Sequence, residues 1–379
     1  MKILRFLLLR LAVVSGLLLL AEILFRAGIW ELVAKPDSHA GTSITLKREV
    51  NKLNRPIDFI SLGSSRAQWG LGHALFAMEA AKSGATHVNL TMGGTHWMTF
   101  GVLVDWLERE HPEVKGGILA TSVPEFLSIG NGSYELGIVY PFKRFDETRW
   151  LATHVPFDQA DLATYGTYSA LFQYRADVQE LIAHPRYRWN DLHSERLPAS
   201  KWLFDLPPNP HNLCAVPTKT VAACATFQAS NDADRLVANQ CKGFGSPPET
   251  RIDLRMLRKS DSSLPPEMAK IKEIRSQQIR AIKWKQRPVV VLLPAHRILT
   301  DELLPAGAHD WALAILQPLA DEGTIDLLDY TALFDRDVGT DCRAFFDIYH
   351  QSAFGRAALM QRLLPEIRQR LYAESDRDR

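Results

Sequence analysis

The sequence predicts an α/β fold: a doubly wound parallel sheet carrying a large insertion and preceded by a transmembrane helix. Three observations lead there. Short apolar runs end in glycine, serine or proline, amphipathic segments of helix length separate them, and the alternation lapses from about Leu127 to Leu264. Parallel strands need helical crossovers, so alternating strand and helix patterns read as this architecture. With 379 residues, of which 46% are hydrophobic and 23% charged, the chain can build one large interrupted domain or two small ones. Its 44 basic and 43 acidic residues leave a net charge of +1. That gives no field for holding nucleic acid.

Residues 1–34 differ in kind from the rest. Lys2, Arg5 and Arg10 precede an apolar run to Phe25 broken only by Ser15, Gly16 and Glu22. From Phe6 the run has the roughly 20 residues a helix needs to cross a bilayer. The basic N-terminal flank favours a cytoplasmic start with the remaining chain outside. Because no small-x-small cleavage site follows, an uncleaved signal anchor is expected. A cleaved signal peptide and a buried helix are the alternatives.

Residues 35–54 are polar and read as a linker, after which the α/β domain begins and runs through residues 55–126. Ile57–Leu62 is a short buried strand ending at Gly63, and Arg66–Lys82 a helix turning Leu71, Leu75, Met78 and Ala81 inward. Thr86–Leu90 is the second strand. A glycine turn at Met92–Thr95, a helix from Trp97 to Arg109 and a strand from Val114 to Ser122 follow. The insertion, 127–264, is rich in proline and holds one strong helical segment, Asp158–Ala183. The domain resumes over 265–379 with helices Pro266–Trp284, His309–Glu322 and Ser352–Tyr372, and with strands Pro288–Pro294 and Ile325–Tyr330.

Cys214, Cys224 and Cys241 cluster in the insertion, and Cys342 lies near the last helix. With no C-x-x-C pair and only His211 nearby, zinc is a poor fit. One or two disulfides are expected, suiting an exported chain; four buried or free thiols are the alternative.

Two segments carry chemistry. Gly63-Ser64-Ser65-Arg66 places hydroxyls where a parallel strand meets a helix N-terminus, the edge at which open sheets bind ligands. Either serine would also serve as a helix cap. Far along the chain, Asp347-Ile-Tyr-His350 sets a carboxylate and an imidazole three residues apart, before the last helix. A serine needs such a base, and the base needs a group to fix its tautomer.

Together these segments resemble the SGNH/GDSL hydrolase superfamily, whose fold is flavodoxin-like. There the nucleophilic serine follows the first strand and Asp-x-x-His precedes the last helix. Gly63-Ser64-Ser65 stands where the superfamily has Gly-Asp-Ser, which makes Ser65 the nucleophile. Asn89-Leu-Thr-Met-Gly93-Gly94-Thr95 is similar to the second block, implying an oxyanion hole from the N–H groups of Ser65 and Gly94, with Gly93 next. Asp347 and His350 match the fifth block. The strand Ile118–Pro124 lacks the asparagine of the third block, which leaves either a substitute in Thr121, Ser122 or a backbone N–H, or a weaker oxyanion hole than in a fast esterase.

That loss, the Gly-Ser-Ser form and the N-terminal anchor resemble a narrower branch. It includes the D-alanyl transfer protein of teichoic-acid modification and periplasmic proteins of polysaccharide O-acetylation. The resemblance implies a single-pass protein of a bacterial inner membrane with a periplasmic acyltransferase or esterase domain. A cell-surface polymer, an acyl donor and a membrane-bound O-acyltransferase are the implied partners. It implies neither cofactor nor metal. The alternatives are a non-catalytic anchored polysaccharide-binding or scaffold protein and a cleaved secreted lipase.

Arg66, Trp97, Ser122, His296 and Arg297 are further substrate-binding candidates on the same edge. Helix-start packing or a solvated loop would account for Arg66, His296 and Arg297 equally, and Trp97 would wall the site or pack beneath it. His73, His87, His111, His154 and His184 have no partner at informative spacing and read as surface or core residues.

Overall fold

Five short strands, β1 (Phe59–Gly63), β2 (His87–Asn89), β3 (Gly116–Ser122), β4 (Val289–Leu293) and β5 (Asp326–Asp329), form one sheet in the computed structural model. Residues 2–32, 34–35, 38–95, 97–127, 132–144, 163–193, 206–216, 220–229, 231–245, 266–304, 307–334 and 338–373 are described. Contacts divide the chain into two units, Met1–Asn51 with Asn131–Leu197, and Lys52–Gly130 with Pro198–Arg379. The insertion read at 127–264 therefore contributes to both.

The second unit holds the sheet. Every strand pair is parallel, in the order β2-β1-β3-β4-β5. Phe59 pairs with His87 on one side and Gly116 on the other, and Ile118 pairs with Val289. All residues of β1, β3 and β4 are buried, so both sheet faces are covered, as the unbroken Val and Leu run of β4 requires. On one face Phe59, Ile118, Val291 and Leu328 pack against Phe76, Leu359, Leu363 and Ile367. Half-exposed β5 closes one edge, with Asp326 and Asp329 discouraging further pairing there. From β1 the chain goes out to β2 and returns to β3 on β1's other side. The reversal opens a crevice at the carboxyl ends of β1 and β3.

Strand and helix positions agree with the sequence reading to within a few residues. One helix read as continuous, Arg66–Lys82, is two: Ser65–Gly70 and His73–Lys82, with Leu71 extended between them. Two glycines flanking Leu71 remove the stiffness that would carry a helix through. The segment read as Asp158–Ala183 is likewise broken, into Ala163–Tyr168, Ala170–Gln173 and Arg175–Ala183, with 158–162 outside the described residues. Ser169 adopts extended backbone and its hydroxyl accepts from Phe172 N, a local bond that competes with helix continuation.

In the first unit the helix Lys2–Arg26 is long and apolar enough to cross a membrane, with a mean hydropathy of 2.3 and none of its apolar window buried. The stretch read as a linker carries a helix, His39–Asn51, that buries Ile44, Leu46 and Val50. Among the described residues, Trp30, Ala34, Ile44 and Tyr174 form one buried cluster of this unit.

Among the histidines without an informative partner, His73 and His87 are core residues and His184 is exposed, while His154 lies outside the described residues. The ring of His87 joins Ser61 Oγ and Tyr372 Oη, each at 2.7 Å, tying β1 to the C-terminal turn. Burial pushes its pKa down to about 3, and that of His296 down to about 4. An unfolded chain protonates both near 6.5 while the folded one keeps them neutral, so protons favour the unfolded state between 6.5 and about 4. Stability is therefore fully present above 6.5 and falls on acidification, by about 1.4 kcal/mol per pH unit for each histidine. Thermal unfolding from pH 7.5 to 4.5 should show a falling Tm with a shallower slope in His87→Gln. Equal slopes would contradict this role.

Candidate active site

The turn carrying Ser64 and Ser65 starts from an unusually close approach. A Cβ on Gly63 would stand 2.3 Å from Ala67 Cβ and 2.8 Å from the Ala120 carbonyl oxygen, so only glycine lets β1 turn this tightly into the helix Ser65–Gly70. Ser64 is the N-cap of that helix, its Oγ accepting from Arg66 N at 3.1 Å. Capping falls to Ser64, which leaves the hydroxyl of Ser65 uncommitted to the backbone. As the first helical residue, Ser65 also has an N–H without an intrahelical acceptor.

The opposite wall is the loop 345–351, closed by a bridge between Phe345 and Gln351 and by Phe346 N donating to the His350 carbonyl at 3.0 Å. Asp347 is 1% exposed and uses its two oxygens separately. Oδ1 accepts from Tyr349 N at 2.7 Å and His350 N at 2.8 Å, which sets the loop backbone. Oδ2 lies 2.7 Å from His350 Nδ1. Burial acts to raise the Asp347 pKa, but the bonds from the imidazole and the two backbone N–H groups outweigh it and hold the carboxyl below its ordinary value. An ionised carboxylate only accepts, so Nδ1 must carry the proton. Nε2 is thereby left to accept, and it lies 2.8 Å from Ser65 Oγ. Three side chains from the two ends of the chain thus stand in the order carboxylate, imidazole, hydroxyl.

The glycine turn reaches the same place. Met92 N donates to the Gly63 carbonyl at 2.9 Å, and Thr95 Oγ1 donates to it at 2.8 Å, binding the turn to the end of β1. Gly94 has φ +78°, a conformation that favours glycine, and a Cβ on Gly93 would sit 3.8 Å from Ser65 Cβ. Both glycines, Gly94 and its alternative Gly93, therefore belong to a turn that is fixed beside Ser65.

Glu125 carries no motif, and sequence reasoning missed it. Buried at 8% exposure in the short helix Val123–Leu127, it accepts from Ser64 Oγ with one oxygen. Its other oxygen accepts from Ser122 N and Ser122 Oγ, each at 3.1 Å. Arg66 Nη1 bonds Ser122 Oγ and lies 3.6 Å from Glu125, and its guanidinium covers the Tyr349 ring at 5.2 Å. The carboxylate thus joins the end of β3 to the Ser64-Ser65 turn, at the strand that lacks the third-block asparagine. Its one signal was a charged residue inside the apolar run Val123-Pro-Glu-Phe-Leu127. Ser122 and Arg66 belong to this cluster.

The remaining candidates make other contacts. Trp97 is buried and packs on Phe100 and Phe126. His296 is buried against Phe345 with Asp341 at 3.5 Å. Arg297 pairs with Asp301 at 3.1 Å on the surface. Partly exposed aromatic rings instead surround His350: Phe346 stacks on it at 5.6 Å, Tyr349 lies 6.3 Å away, and Trp69 meets Phe346 edge-on at 5.1 Å.

Part of the insertion braces the histidine loop. Disulfides join Cys214 to Cys342 and Cys224 to Cys241. Leu213 N donates to the carbonyls of Cys342 at 2.8 Å and Phe345 at 3.1 Å, and Ala353 N donates to Asn209 O at 2.7 Å. Gln240 Oε1 accepts from Ile348 N at 3.1 Å, inside the loop itself. Among the described residues no cluster of His, Cys, Asp and Glu is arranged to hold a metal ion. The chain matches no protein-family model and no curated protein.

Two outcomes follow from the supports. Glu125→Gln deprives a buried donor of its acceptor, which should cost about 1–3 kcal/mol and slow fluorophosphonate labelling of Ser65. Replacing Cys214 and Cys342 together by alanine should lower stability by about 2–5 kcal/mol. It should also slow the labelling at temperatures where the protein stays folded, and unchanged labelling would mean that the loop keeps its geometry without the brace.

Proposed function

We propose that the chain is a membrane-anchored, extracytoplasmic serine acyl-transfer enzyme in which Ser65 is the nucleophile, His350 the general base and acid, and Asp347 the group that orients it. The observation that carries this reading is the pair of bonds to one imidazole, Nδ1 to Asp347 at 2.7 Å and Nε2 to Ser65 Oγ at 2.8 Å. That is the geometry needed to activate a hydroxyl. His350 takes the Ser65 proton as Oγ bonds to the carbonyl carbon of an ester or thioester. The N–H groups of Ser65 and of the Gly93-Gly94 turn hold the oxyanion, and the positive end of the helix Ser65–Gly70 adds to them. The imidazolium then protonates the departing alkoxide or thiolate, leaving an acyl-Ser65. A sugar hydroxyl gives its proton to His350, takes the acyl group and frees Ser65; with water in its place the same steps make an esterase.

Membership of the SGNH type, with its doubly wound sheet, is supported by the strand order and by a serine after β1 paired with Asp-x-x-His before the last helix. The apolar N-terminal helix and two disulfides support an anchor in the bacterial inner membrane with the catalytic domain outside. The partly exposed rings of Trp69, Phe346 and Tyr349 suit sugar faces of a cell-surface polymer.

Ser65→Ala, His350→Ala and Asp347→Asn should each cut turnover of an activated acyl ester by about 10³-fold or more, with fluorophosphonate labelling confined to Ser65 in the parent. Retained turnover in Ser65→Ala would overturn the assignment. Absence of label at Ser65 would favour an anchored polysaccharide-binding or scaffold protein.

A further inference from the structure

The first unit shows where the chain meets the bilayer. Glu22 is the only acidic residue of the N-terminal helix, and such a charge is costly within hydrocarbon. It pairs with Arg26 at 2.6 Å and accepts from Ser169 Oγ at 2.8 Å, Ala170 N at 2.9 Å and Leu171 N at 3.0 Å. Arg26 Nη2 donates to the Tyr168 carbonyl. The polar turn holding Glu22 therefore marks the end of the apolar span, with residues 168–171 at the same height. Gly28, at φ +82°, turns the chain back so that Trp30 stacks on Phe25 at 4.8 Å. Trp30 Nε1 donates to Asp177 at 2.7 Å, and Asp177 accepts from Arg188 at 2.8 Å. The helix Pro185–His193 is thus tied through Asp177 to the segment that leaves the span.

Arg188 anchors this helix to two acids. Arg188 is fully buried on Asp177 and Glu180, while Pro185, Arg186, Tyr187, Trp189 and Asn190 are exposed. At about 100° per residue, Arg186 and Asn190 lie opposite Arg188 and the two aromatics flank them. Tyr187 is 59% exposed, Trp189 65% and Ile182, just before the helix, 74%. A cationic and amide ridge between aromatic rings is the composition of a headgroup layer, where Trp and Tyr concentrate and arginine meets phosphate. Tyr168, 53% exposed beside Arg26, continues the same composition.

We propose that the face bearing Tyr168, Ile182, Tyr187 and Trp189 is seated in the phospholipid headgroup layer of the bilayer that the N-terminal helix crosses, with Arg186 directed at lipid phosphate. The inference rests on the reading of that helix as an anchor. It gives the unit two membrane contacts, one spanning and one lying in the interface.

The test is photocrosslinking of the full-length protein in its native membrane, with benzoylphenylalanine placed singly at Leu17, Tyr187, Trp189 and Met78. Leu17 is exposed within the apolar span, and Met78 is 61% exposed in the other unit. Phospholipid adducts at 17, 187 and 189, and none at 78, are expected by mass spectrometry. Adducts at 17 with none at 187 and 189, or with only protein crosslinks there, would overturn the interfacial seat while leaving the anchor. No lipid adduct at 17 would overturn both.

Discussion

One carboxylate carries more of this structure than its size suggests. Asp347 fixes the backbone of its own loop through two N–H groups and, with its other oxygen, the tautomer of His350. Those tasks are separable in principle and joined here, so imidazole orientation and loop shape cannot vary independently. Everything around the loop limits its freedom further. Gly63 brings Ser65 within reach through a backbone approach that no larger residue permits. Glu125 keeps Ser64 engaged as a cap and donor, so that Ser65 is the hydroxyl left free. The site is best understood as two tight turns, each over-determined, facing one another across the end of a parallel sheet.

How much of this the sequence discloses depends on the range of the interaction. The β-strands were legible because a strand buried on both faces is an unbroken apolar run, as in Val289–Leu293. Ser65, Asp347 and His350 were legible as two short motifs whose chemistry makes sense only if they meet, and they stand within hydrogen-bond distance. Glu125 was not legible. Its bonds to Ser64, Ser122 and Arg66 depend on how β1 and β3 lie side by side, and no local spacing encodes that. The same holds for the insertion, whose prolines and cysteines announced a loop-rich region but not that part of it would bind the histidine loop.

The two units use polar groups in contrasting ways. Around Ser65 the buried charges are arranged about a hydroxyl and an imidazole, whereas in the first unit Arg188, Asp177 and Glu180 hold a helix in place by a buried guanidinium. Such a pair is a poor source of net stability but a strong penalty on misplacement, because removing one partner strands the other. Trp30 bonds Asp177 and Lys35 bonds both acids, so the same carboxylates also fix the path of the chain just beyond the N-terminal helix.

Ser65 and His350 lie 285 residues apart, and the disulfide that secures the histidine loop spans 128. A ribosome therefore delivers the hydroxyl 285 residues before the imidazole that bonds it. Over that stretch of synthesis Ser65 is without this partner. Contacts of such sequence separation are also the slowest to form, since the intervening chain must first give up its freedom. Linking distant segments of the domain in this way makes the bonded trio of Ser65, His350 and Asp347 a product of finished folding, absent from a chain that stops short of the histidine loop however well its first strands have formed.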